Sequence, residues 1–92
     1  MSASRRPVTD AMHEIIAEVL DANAKHGTFT SSHEGYGVLA EERAELLEAI
    51  HANDREAVKH EATQVAAVAM RIVTACEDPA FCVRSGFQDP TA

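Results

Sequence analysis

Two consecutive runs decide the fold: HEGYGVLAEERAELLEAI at residues 33–50 and REAVKHEATQVAAVAMRIVTAC at residues 55–76. In the first, Tyr36, Leu39, Leu46, Leu47 and Ile50 recur at helical spacing. Ser31 followed three positions later by Glu34 fits a capping box, which satisfies free amides at a helix start and sets an acid near the positive end of the dipole. This helix is expected to stop near Asn53, and Asp54 can cap the next, from about Arg55 to Cys76. Because the connection around Ala52-Asn53-Asp54 is short, the two helices should lie antiparallel as a hairpin. The second of them carries Val58, Ala62, Val65, Ala66, Ala67, Val68, Ala69, Met70, Ile72 and Val73, so from Val65 onward it is apolar around most of its circumference. Such a helix is buried on several sides. Companions from one short chain do not easily cover it, so a homo-oligomer is expected, a symmetric dimer or a tetramer.

Working outward, Met12, Ile15, Ile16, Val19 and Leu20 form an apolar stripe on an earlier helix, about residues 9 to 25, with Thr9 or Asp10 as its cap and Gly27 as its end. Glu14, Glu18, Asp21 and Lys25 make its polar back. Residues 1–8 read as a mobile start and 27–33 as a loop anchored by Phe29, while Pro79, Gly86 and Pro90 make 77–92 an irregular tail. The expected fold class is therefore all-α, one domain of 92 residues built from an N-terminal helix and a helical hairpin.

Fifteen Asp and Glu stand against eight Lys and Arg, a formal charge of −7, and no basic patch offsets it. A nucleic-acid polymer would meet net repulsion, whereas a small phosphorylated ligand carried by divalent cations suits an acidic site. Asp10, His13 and Glu14 interrupt what a signal peptide needs as an apolar core, and no run approaches the roughly 20 apolar residues of a membrane span. A cytoplasmic location follows as an expectation. Cys76 and Cys82 match no usual zinc or redox spacing and are read as free thiols. None of the histidines at 13, 26, 33, 51 and 60 belongs to an HExxH-type pair.

Three acids stand where a core stripe should not have them. At about 100° per residue, Glu61 falls roughly 40° from Val65, on the stripe of Val58, Val68 and Ile72. Glu42 falls roughly 60° from Leu39, between Leu39 and Leu46, and Glu45 roughly another 60° round at the edge. Glu41 and Glu48 point nearly opposite to Leu39 and read as solvated charges. An ionised carboxylate withdrawn from water costs several kcal/mol unless it is compensated. Two compensations fit: pairing with Arg43, Arg55, Lys59 or Arg71, or convergence on a hard cation such as Mg²⁺, which takes oxygen ligands.

The string HEGYGVLAEERAEL, followed by HEATQVAAVAMR, resembles the MazG-like branch of the all-α nucleoside triphosphate pyrophosphatase superfamily over about residues 29 to 75. Its hallmark is an ExxE pair on one helix and an ExxD pair on the next. Glu42-Arg-Ala-Glu45 matches the first pair, and Glu61-Ala-Thr-Gln64 occupies the second, with Gln64 where the pattern has Asp. The resemblance implies a Mg²⁺-dependent hydrolase that cleaves nucleoside triphosphates between the α and β phosphates, giving monophosphate and pyrophosphate. It implies Glu42, Glu45 and Glu61 as metal ligands and catalytic carboxylates, Glu45 the weakest, and Gln64 as an outer ligand or base contact. A neutral amide keeps a carbonyl oxygen for the cation but removes one charge, so metal affinity should fall unless Asp54 or another acid substitutes. At the start of the second helix His33, Glu34 and Tyr36 can meet an anion or stack on a base, against the plainer reading as cap and core residues. Arg71 and Arg84 can clamp phosphates or form surface salt bridges. Beside the enzyme stand two alternatives, a nucleotide-binding relative without turnover and a structural dimerisation module. A module without ligands would gain stability from Leu or Val in place of the inward glutamates.

Overall fold

A computed structural model describes residues 5–83 of the chain. Its regular structure is three helices, α1 (Arg6–His26), α2 (Ser32–His51) and α3 (Arg55–Ala75), and no strand is present among the described residues beyond an isolated bridge between Ser31 and Cys82. The first helix starts ahead of the expected Thr9. Pro7 occupies its first turn, where a missing N–H costs nothing, and Arg5 stands at the N-cap without a side-chain cap. Thr9 instead donates its hydroxyl back to the Arg5 carbonyl, 3.0 Å away. At the other end Gly27 takes φ +77°, and its N–H closes on the Asn23 carbonyl at 2.9 Å.

Ser31 caps α2 by accepting from the Glu34 N–H at 3.1 Å, the first half of the expected box. The return bond goes one residue further out: Glu34 Oε1 accepts from the Thr30 N–H at 2.8 Å and the Thr30 hydroxyl at 3.2 Å. Asp54 caps α3 by accepting from the Ala57 N–H at 3.0 Å, and Asn53 makes the turn at φ 54°, a conformation asparagine tolerates. Past α3, Cys82 donates to the Thr30 carbonyl at 2.9 Å and its own carbonyl accepts from Ser32 N at 2.8 Å, while the Ser32 hydroxyl donates to the Val83 carbonyl. The tail therefore straps the loop that opens α2.

Helix α3 packs against both α1 and α2, which do not meet each other among the described residues. The core lies where α2, α3, the loop and the strap converge: Phe29, Val68, Ala75 and Phe81 are buried, with Val38, Leu39 and Ile72 packed on them. Gly35 lets α2 approach there, since a Cβ would stand 2.7 Å from Ile72 Cγ1. Two companions from the same chain thus cover most of α3, leaving Val73 as its exposed large apolar residue. The apolar surface left over lies elsewhere. On α1 only Val19 is buried, and Met12, Ile16 and Leu20 of the predicted inward stripe face water together with Val8. On α2, Tyr36, Leu47 and Ile50 are exposed rather than core, because a helix with one neighbour buries one narrow seam and α1 never reaches it. No helix among the described residues is long and apolar enough to cross a membrane.

Candidate metal centre

The hairpin brings Glu42 and Glu45 of α2 against Glu61 of α3. One carboxylate oxygen from each lies within 4.8 Å of the other two. The register follows from helix geometry: Glu42 and Glu45, three residues apart, share one face of α2, and the Asn53 turn folds α3 back so that Glu61 meets them. Glu42 and Glu61 are half-buried and Glu45 is exposed, which is the ranking expected from their angles off the Leu39 stripe.

Among the described residues no ion pair compensates them. Lys25 pairs with Asp21 at 3.1 Å and Lys59 with Glu14 at 3.8 Å, and neither pair reaches the cluster. Arg71, offered by the sequence as another partner or as a phosphate clamp, points away: its Nε donates to Asn23 Oδ1 at 2.9 Å and its Nη2 to the Gly27 carbonyl at 3.1 Å. Asp54 is spent on its cap. Glu42 Oε2 is consequently buried with no hydrogen-bond partner among the described residues.

Electrostatics follow from that geometry. Burial pushes the Glu42 carboxyl up to about 7, helped by a proton shared with Glu45 or Glu61 and by the negative charge of both. A carboxyl with only acceptors around it recovers one hydrogen bond by keeping its proton. The arrangement has two neutral-pH solutions, a shared proton or a cation held by the three oxygens. Gln64, half-buried, sits one turn beyond Glu61, the position from which its carbonyl could join them.

The remaining sequence candidates are not brought to this cluster. His33 and Tyr36 are exposed at the start of α2, so Tyr36 is no core residue, and Glu34 holds Thr30. Arg84 lies outside the described residues. Arg71 is no surface salt bridge either. It is 6% exposed, with its guanidinium carbon 4.1 Å from the centre of the Phe29 ring. Around it, His26, Gly27, Phe29, Glu34 and Val38 line a cavity of about 300 Å³. Sequence reasoning missed this second polar centre. The available signal was Arg71 itself, beside Ile72 and Val68 on the core stripe, while Asn23 and Gly27 lie 48 and 44 residues away with no pattern linking them to it. Compared with protein-family profiles, curated proteins and solved structures, the chain matches none.

Proposed function

We propose that the chain is a Mg²⁺-dependent nucleotide pyrophosphohydrolase of MazG-like type, cleaving nucleoside triphosphates to monophosphate and pyrophosphate. The observation that carries this reading is the unpaired, buried Glu42 Oε2 inside a three-glutamate cluster that no described cation neutralises. Glu42, Glu45 and Glu61 would hold the ion, and Gln64 would add a neutral oxygen. When bound, Mg²⁺ supplies neutralisation of phosphate charge and polarisation of the oxygens it touches. Glu42 and Glu61, being half-buried, fix the site. Glu45, open to solvent, would be the carboxylate that takes a proton from an arriving water.

Gln64 favours a second reading. With Asp replaced by a neutral amide the cluster carries three formal charges rather than four, which suits binding a Mg²⁺–nucleotide complex more than turning it over. Incubating purified protein with a panel of nucleoside triphosphates and Mg²⁺ separates the two. Pyrophosphate release that disappears in Glu61→Gln supports the enzyme, metal-dependent binding without release supports the binder, and neither signal ends both.

The same reading includes a second copy of the chain. Val8, Met12, Ile16 and Leu20 succeed one another every fourth residue on α1 and are 64, 53, 41 and 64% exposed. Among the described residues no large side chain is fully buried, and the radius of gyration, 15.7 Å, exceeds the about 12 Å of a compact domain this size. A row spaced by four residues interdigitates with a copy of itself across a two-fold axis. Sedimentation of the intact protein against Ile16→Glu tests it: a dimer that becomes monomeric agrees, and a wild-type monomer does not.

A further inference from the structure

The cavity at the other end of α3 has polar groups that the fold uses only by half. Arg71 spends Nε on Asn23 and one Nη2 hydrogen on Gly27, and Nη1 bonds no described residue. Glu34 spends Oε1 on Thr30, and Oε2 bonds none. The two charges feel each other, Glu34 opposing the loss of proton affinity that burial imposes on Arg71, yet they stand farther apart than the 4.0 Å of an ion pair. Between them opens the cavity of about 300 Å³, with Phe29 and Val38 as apolar walls. Pinning the loop requires Asn23, Gly27 and Thr30. It requires neither the open space nor the two unused halves.

We propose that this cavity binds the edge of an uncharged heterocycle, with a ring carbonyl accepting from Arg71 and the adjacent ring N–H donating to Glu34. A full anion would meet the Glu34 carboxylate, and a purely apolar group would strand both charges, so a neutral ring with acceptor beside donor is the matching chemistry. Oxo-substituted nucleobases have that edge, and Arg and Glu side chains read such edges. The placement agrees with the pyrophosphohydrolase reading, on which the identity of the ring as a nucleotide's base rests. Glu34, Val38 and Glu42 follow at four-residue intervals on α2, so the cavity begins about 6 Å along the helix from the glutamate cluster and extends to about 12 Å. One nucleotide can place its phosphates at one and its base at the other.

The test uses nucleosides without phosphate or metal. Uridine titrated into ¹⁵N-labelled protein should shift the amides of Gly27, Phe29 and Val38, and 3-methyluridine, which lacks the ring N–H, should bind at least about tenfold more weakly. Val38→Phe, which fills the cavity, should abolish the shifts while circular dichroism stays helical. Glu34→Gln should weaken uridine without weakening 3-methyluridine. Equal binding of the two nucleosides, shifts that persist in Val38→Phe, or no shift at all overturns the proposal. Inorganic tripolyphosphate with Mg²⁺, which has no base, reports on the glutamates independently: its failure to bind beside successful uridine binding sinks the pyrophosphohydrolase reading and leaves the cavity.

Discussion

Helix α3 carries charge into its apolar stripe twice, at Glu61 near its start and at Arg71 near its end, and the two ends are compensated in opposite ways. Arg71 is met by neutral acceptors and an aromatic face: Asn23 Oδ1, the Gly27 carbonyl and the Phe29 ring. Glu61 is met by more of its own charge, Glu42 and Glu45. The first arrangement lowers the energy of the folded chain as it stands and ties α1, the loop and α3 together. The second raises it until a proton or a cation arrives, which is why the proposed metal site is placed there. Partner chemistry, more than the depth of burial, separates the charge that holds this fold from the charges left without compensation.

The largest expected effect breaks the comparison at its acidic end. If the proposed site is right, Glu61→Gln lowers Mg²⁺-dependent pyrophosphate release by at least about 100-fold, measured in a coupled phosphate assay, because the three-glutamate cluster loses one of its carboxylates. At the basic end Arg71→Met should lower stability as well as base binding. It strands Asn23 and the Gly27 carbonyl and should cost about 2–4 kcal/mol in urea denaturation. Gly35→Ala presses a methyl onto Ile72 where α2 meets α3 beside that centre, and about 1–3 kcal/mol should be lost.

Glu42→Gln sharpens the contrast because its sign is the reverse. The folded chain holds the Glu42 proton up to about 7, whereas the unfolded chain releases it near 4.5. Between those values the unfolded state binds fewer protons, so the metal-free protein loses stability as pH rises through that window. Glu42→Gln should therefore stabilise metal-free protein by about 1–2 kcal/mol at pH 8, below full conversion of the shift since Glu45 opens the cluster to water, and by little at pH 5. Glu48→Gln, an exposed acid on the far face of α2, should change stability by less than about 0.5 kcal/mol at either pH.

Much of this contrast was legible in the sequence. Caps at Ser31 and Asp54 and the short Asn53 turn set the hairpin, and the hairpin with the 3.6-residue period sets which glutamates meet. Local periodicity says which residues share a face but not how many neighbours that face will have. Thus Met12, Ile16 and Leu20 read as core and are exposed, because among the described helices α1 meets α3 alone. The Arg71 centre was illegible for a related reason: its partners are a side-chain amide and a backbone carbonyl brought together only by tertiary packing.

The central claim is that the three glutamates accept a divalent cation, and thermal unfolding of the wild-type protein at pH 8 across a Mg²⁺ titration tests it most directly. A saturable rise in midpoint is expected that vanishes in Glu42→Gln/Glu61→Gln and persists in Glu48→Gln. A midpoint indifferent to Mg²⁺, or one that climbs equally in all three proteins, would contradict it.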